Sequence, residues 1–270
     1  MKIFNKIYSR GKTLPKPIKN TIRPLYSKIK VRERIKIDKE LLKDIVEFHN
    51  QINDFKITYE EGVMLCKLGK KLMADLWNIM KPKTEEEIQK YYEICLYGLF
   101  ELVYAHANEG NRKFREKVVA LSLYEVLDYG GGDGSLSMML AERGINVTYV
   151  DVPSINMEFA KWAFKKRGYN IEVLDAYSDQ EKIWQKTYGT ILCIELIEHV
   201  YNPKYLLEKL ASNLRKGGKL IITRLNCPGP TVDLPLHFKL SFNAENLLIS
   251  HGLSKKEGAF EGDRDLWIKK

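Results

Sequence analysis

The chain has 270 residues, 44% of them hydrophobic, and a net charge of +9; that length and apolar content predict one large or two modest domains with a sizeable core. Cys66, Cys95, Cys193 and Cys227 form no C-x-x-C pair and have no histidine at zinc spacing. That excludes a disulfide framework and a zinc knuckle, and it predicts reduced thiols, no bound metal and a cytoplasmic setting.

Residues 1–37 carry twelve Lys and Arg against Glu33 alone, a balance of +11 that leaves −2 for the rest of the chain. Bulky apolar residues such as Ile3, Phe4, Ile7 and Tyr8 alternate with these bases, and Pro15, Pro17 and Pro24 oppose any long helix. No apolar run there reaches the length of a secretory signal core or a membrane span. Three roles are open to this tail: contact with an anionic membrane surface that makes the protein peripheral, steering of nucleic acid, or a solvated arm.

Residues 38–122 read as a helical region, a cap over a crevice or a dimerisation face. Thr58-Tyr59-Glu60-Glu61 is a capping-box start, followed by one apolar stripe through Leu65, Leu68, Leu72, Leu76 and Ile79. Thr84 opens a second helix in which Ile88, Tyr92, Cys95, Leu99 and Leu102 recur at helical spacing until Asn108-Glu109-Gly110-Asn111 closes it. Tyr91, Tyr92, Tyr97, Tyr104 and His106 are candidate lining residues, although aromatic stripes and helix histidines more often serve the core.

Residues 123–270 alternate strands and helices. Val126-Leu127-Asp128-Tyr129 runs into Gly130-Gly131-Gly132-Asp133-Gly134 and then a helix from Ser135 to Arg143, a strand-turn-helix in which glycine permits positive φ and close approach to a ligand. The spacing is G-x-G-x-G, with Ser135 where a dinucleotide fingerprint would need glycine. A second strand ends in Asp151, nineteen residues beyond Gly132, where a doubly wound sheet places a carboxylate for ribose hydroxyls. The third strand ends in Asp175 and the fourth in Glu195. Asp128, Asp151, Asp175 and Glu195 are thus expected on one rim, which suits a cationic nucleoside better than a diphosphate.

These residues resemble the class I S-adenosylmethionine-dependent methyltransferases over about residues 120–270. The parts are LDYGGGDG, YVDV, the LDA of strand three, ELIEHV after strand four, and LRKGGKLIIT; the last two are most similar to the small-molecule branch that includes ubiquinone and menaquinone methyltransferases. The resemblance implies an α/β, Rossmann-like, doubly wound seven-stranded sheet of order 3-2-1-4-5-7-6, the seventh strand antiparallel. It implies S-adenosylmethionine as cofactor, with Gly130, Gly132 and Gly134 near its methionine moiety, Asp128 near the amino group, Asp151 on the ribose, Asp175 with the Ala176 backbone on the adenine edge, and Glu195 at the same rim. For each acid the competing role is a helix cap or a solvated loop.

The implied reaction is methyl transfer to a small-molecule or lipid-linked acceptor, O-methylation among the options. His199, beyond strand four, and His237, in the loop after strand five, are the candidate catalytic bases. Strand four is followed by Glu195-Leu196-Ile197-Glu198, which is unlike the N-P-P-Y motif of enzymes that methylate exocyclic base amines. The alternatives are an RNA or protein methyltransferase, which the basic tail allows although nucleic acid fits less well, and a non-catalytic S-adenosylmethionine-binding module. A homodimer through the helical region is also open.

Overall fold

The computed structural model describes residues 37–270, so the tail, apart from Ile37, lies outside the described residues. Five helices come first: α1 (Lys39–Ile52), α2 (Tyr59–Met80), α3 (Glu85–Ile94), α4 (Tyr97–His106) and α5 (Glu109–Leu121). The expected capping box at Thr58 forms. Thr58 Oγ1 accepts from the Glu61 N–H at 3.2 Å while Glu61 Oε2 accepts from the Thr58 N–H at 2.7 Å, and Thr84 and Glu87 repeat the pattern.

Two details of the helical reading change. Ile79, at the end of the expected apolar stripe, is 70% exposed, while Leu76, Trp77 and Met80 turn the end of α2 onto the cluster around Tyr91. The helix expected from Thr84 to Asn108 breaks at Cys95, whose ψ of 79° turns the chain. The break lets α4 lie against α2 at Gly69, where a Cβ would come within 2.9 Å of the Glu101 backbone nitrogen. Asn108 does not close α4 but caps α5, its Oδ1 accepting from the Gly110 N–H at 2.9 Å.

The sheet follows as β1 (Val126–Tyr129), α6 (Ser135–Ala141), β2 (Val147–Asp151), α7 (Ile155–Arg167), β3 (Glu172–Asp175), α8 (Gln180–Trp184), β4 (Tyr188–Cys193), α9 (Pro203–Ser212), β5 (Leu214–Thr223), α10 (Ala244–Ser250), β6 (Leu253–Lys255) and β7 (Arg264–Lys269). The strand order is β3-β2-β1-β4-β5-β7-β6, with β7 antiparallel to both neighbours, as the resemblance implies. β6 has only three residues, and Gly258 and Gly262 take positive φ in the turn into β7.

Burial on both faces explains the near-continuous apolar strands. On one face Leu206, Leu207 and Leu210 of α9 and Leu248 of α10 cover Leu127, Ile191 and Leu220. On the other, Phe159 and Phe164 of α7 join Tyr149 of β2 to Leu42, Ile45 and Phe48 of α1 and Leu99, Phe100 and Val103 of α4. The N-terminal helices therefore share a core with the sheet. A smaller cluster seats Trp77 and Tyr91 against Leu236 and Phe238 of the loop after β5. Parallel register pairs Tyr129 with Val150 and Asp151 with Asp175, so the carboxyl ends of the strands share one rim beside that cluster.

Candidate active site

The glycine turn is bound to β2 from two directions. Gly130 and Gly131 donate backbone N–H bonds to the Val150 carbonyl at 2.7 and 3.1 Å, and Gly132 donates to Asp151 Oδ2 at 2.8 Å. The Tyr149 hydroxyl donates to the Gly132 carbonyl at 2.7 Å. Gly130, Gly132 and Gly134 all have positive φ, between 57° and 77°. Their spatial demands differ: a Cβ would fall 2.5 Å from Leu196 at Gly130 and 2.6 Å from Phe164 at Gly134, but 3.6 Å from its nearest neighbour at Gly132. Gly130 and Gly134 make room for the protein's own side chains, and Gly132 alone of the three would meet no more than an ordinary van der Waals contact, with the Leu102 side chain.

The four acids do not share one environment. Asp128 is 4% exposed and accepts a 2.6 Å bond from the Ser137 hydroxyl; it sits beneath Gly131, where a Cβ would lie 3.1 Å from its Oδ2. It lies under the turn instead of on the rim, because β1 aims that side chain at α6. Burial raises its pKa to about 6, against the Ser137 bond and Arg115. Asp151 stands at the rim, and burial raises it to about 7 despite N–H bonds from Gly132 and Val152. Asp175 Oδ1 accepts from the Tyr177 N–H at 2.8 Å, and the Ala176 N–H is committed to the Asp151 carbonyl at 2.9 Å. Thus the loop role weighed for Asp175 is realised at Oδ1, and the Ala176 amide is not free for an adenine edge. Glu195, with φ of 50°, pairs through Oε2 with Arg224 Nε at 2.9 Å.

The two candidate histidines come together. Their rings meet edge to face with centroids 4.8 Å apart, and Tyr92 from α3 approaches His199 at 6.3 Å. His199 Nδ1 lies 3.3 Å from the Leu236 carbonyl, which can only accept, so Nδ1 carries the proton and Nε2 bears the lone pair. Burial, with His237 adding to it, lowers His199 to about 3; burial lowers His237 as well. Both are neutral imidazoles at physiological pH.

Glu198, Arg224 and Tyr92 complete this corner. The Glu198 side chain is fully buried, both oxygens lack a hydrogen-bond partner, and burial raises it to about 8. Its backbone carbonyl accepts a 2.6 Å bond from Phe238, which ties the 226–240 loop to the short 3₁₀ turn Ile197–His199. One ligand atom each from Glu198, His199 and His237 lie within 4.8 Å of one another, a two-histidine, one-carboxylate set able to hold a divalent cation. Thus cysteine spacing excluded zinc knuckles but could not detect this set. Glu198 stands in ELIEHV beside His199 and was legible there; Arg224 carried no local signal.

A parallel sheet with acids at its strand ends, a glycine turn opening a helix and no basic phosphate cradle in that turn defines the class I methyltransferase fold. The family model described as "Methyltransferase domain" matches residues 88–246, more than half of the chain, and the chain belongs to that family. Among curated relatives, the ubiquinone biosynthesis O-methyltransferase of Rickettsia akari is 35% identical over 156 residues, covering 58% of this chain and 57% of that protein. That of Idiomarina loihiensis is 33% identical over 106 residues, covering 38% of this chain and 42% of the relative. The matches thus span 57% and 42% of these relatives' own length. The crystal structure of an O-methyltransferase family protein from Burkholderia thailandensis shares the fold, with a TM-score of 0.52 and 13% identity over 82% of this chain and 75% of that one.

The site fits the cofactor of this class, S-adenosylmethionine. Gly132 is the least crowded of the three positive-φ glycines of the turn, Asp151 offers a rim carboxylate, and the acids would repel a diphosphate while accommodating an ammonium or sulfonium.

Asp151 also makes stability depend on pH. Its folded pKa of about 7 stands above the ordinary aspartate value of about 3.9. Between those values the folded state keeps a proton that the unfolded state has lost, so this group's contribution declines as pH rises through that window. In cofactor-free protein the stability of Asp151→Asn relative to the parent is expected to rise from about pH 4 to about pH 7. Urea denaturation across that range checks it; a constant difference would contradict the raised carboxyl.

Proposed function

We propose that this protein transfers the methyl group of S-adenosylmethionine to a hydroxyl of a small acceptor, with an acceptor of the aromatic, lipid-linked kind suggested by the names of its relatives. The observation that carries the acceptor side is the buried set Glu198, His199 and His237, placed between the helices and the loop after β5. Bound S-adenosylmethionine supplies an electrophilic methyl on a sulfonium. Asp151 would hold the ribose hydroxyls, Gly132 would let the methionine moiety lie close to the turn, and Asp175 would border the adenine. The enclosed corner would exclude water and hold the acceptor oxygen in line with the methyl and sulfur.

The attacking hydroxyl must lose its proton. A histidine titrating near 3 is a weak base for that work. The same neutral imidazoles, with Glu198 ionised, suit a divalent cation that acidifies a bound hydroxyl, and this reading takes the place of the expectation of no metal. On it, His199→Ala lowers kcat by roughly 10²–10⁴-fold and leaves the dissociation constant of S-adenosylhomocysteine nearly unchanged. Chelation abolishes turnover, and added divalent metal restores it. Turnover that survives exhaustive chelation but falls in His199→Ala would return the proton to a histidine base, and normal turnover in both would remove this corner from the chemistry.

The +11 balance of residues 1–37 supports peripheral contact with an anionic membrane, which would bring a lipid-linked acceptor to the rim. Among the described residues no helix is long and apolar enough to cross a membrane. Removal of residues 1–36 is expected to abolish co-sedimentation with phosphatidylglycerol vesicles while cofactor affinity persists. Equal sedimentation of both proteins would favour the solvated arm, and selective retention on RNA would favour the nucleic-acid alternative. A homodimer through residues 38–122, set between the tail and the domain of residues 123–270, belongs to the same proposal.

A further inference from the structure

The glycine turn contains one residue whose role the cofactor reading leaves unexplained. Asp133, between Gly132 and Gly134, is 2% exposed. Its Oδ1 accepts from the Ser135 N–H at 3.0 Å and the Ser135 hydroxyl at 2.6 Å, which leaves the turn closed on that side. Its Oδ2 is buried without a well-formed hydrogen bond and faces His106 Nδ1 at 3.3 Å. His106 is the last residue of α4, in the helical region. Arg115, from α5, donates to the Ser135 hydroxyl at 2.6 Å. Burial opposes ionisation of Asp133, but His106, Arg115 and Ser135 outweigh it and hold its carboxyl well below the usual range.

We infer that His106 is a positioning residue: by pairing with Asp133 it fixes the turn whose next amide, that of Gly132, binds the Asp151 carboxylate, and so couples the N-terminal helices to cofactor affinity. This rests on the cofactor reading above. The route is short. His106 meets Asp133, Asp133 adjoins Gly132, and Gly132 donates to Asp151 Oδ2. A protonated imidazole strengthens the pair, whereas a neutral one leaves a buried carboxylate with weaker compensation. Cofactor affinity therefore carries a component that depends on this pair being intact.

Other charged groups surround His106. Glu101 lies on its own helix, Arg112 and Arg115 on α5, and Asp38 and Lys39 at the start of α1, these last four lining with His106 a cavity of about 560 Å³. Asp128, raised to about 6, and Asp151, raised to about 7, lie at and beyond the turn. All of them persist when His106 is replaced, so the ratio of parent to variant affinity isolates its share.

The test is calorimetric titration of the full chain with S-adenosylhomocysteine for the parent, His106→Gln, Asp133→Asn and the double variant. Each single variant is expected to bind about fivefold more weakly than the parent, a modest coupling between linked sites, and the double variant no more weakly than either, because both changes remove the same pair. His106→Asn takes the place of His106→Gln if the latter fails to fold. Losses that multiply in the double variant, or an unchanged affinity in the histidine variant, would reduce His106 to packing and overturn the inference while leaving the cofactor site intact. Failure of the parent to bind would overturn the cofactor reading and this inference with it.

Discussion

The bond from the Gly132 amide to the Asp151 carboxylate is the constraint on which the crevice depends. It joins the end of β2 to the turn after β1, and the Tyr149 hydroxyl on the Gly132 carbonyl closes the same junction from the other side. Without it the turn would have no fixed height above the sheet, and the backbone at Gly132 would have no fixed position at the rim. The cost is a carboxylate held in a low-dielectric setting, offset by two backbone donors. Such a group gains from a ligand that brings hydroxyl donors, and ribose is one. The core contributes by holding both strands: Tyr149 is fully buried, and its ring packs on Phe164 of α7.

A second buried polar corner lies past β4, built on different principles. Around Asp151 every oxygen has a donor, whereas Glu198 has none. Arg224 Nε, 3.8 Å from Glu198, is drawn to Glu195 at 2.9 Å. Arg224 and Glu195 both adopt positive φ at the ends of adjacent strands, backbone strain of the sort that gathers at functional sites. An unsatisfied buried carboxylate beside two neutral imidazoles is costly in an empty protein and favourable once a cation or an acceptor hydroxyl arrives. The two corners divide the labour, one for the nucleoside and one for the acceptor, and the packing of Trp77 and Tyr91 on Leu236 and Phe238 sets the wall between helices and loop.

Legibility in the sequence followed the range of each interaction. The first strand with its glycine turn and helix, the nineteen-residue step to Asp151 and the Thr58 capping box are local patterns, and the structure places them as read. The strand order came through resemblance, since periodicity carries no order. Features that depend on distant partners were hidden. Asp128 read as a rim acid because nothing local says that Ser137 would hold it beneath the turn. The break at Cys95 is set by the approach of α4 to Gly69 of α2, a contact invisible to helical spacing. His199 and His237, thirty-eight residues apart in sequence, read as two candidate bases near the crevice, and the fold adds Glu198 to their corner. His106 read as an ordinary helix histidine, while its partner Asp133 passed as one more turn residue.

The most direct measurement is a crystal structure of the full chain grown with S-adenosylhomocysteine. The account predicts the ribose hydroxyls within hydrogen-bond distance of Asp151, the methionine moiety over Gly132, and the sulfur directed toward the space bounded by Tyr92, His199 and His237. A nucleoside bound elsewhere, or a sulfur turned away from that corner, would contradict it.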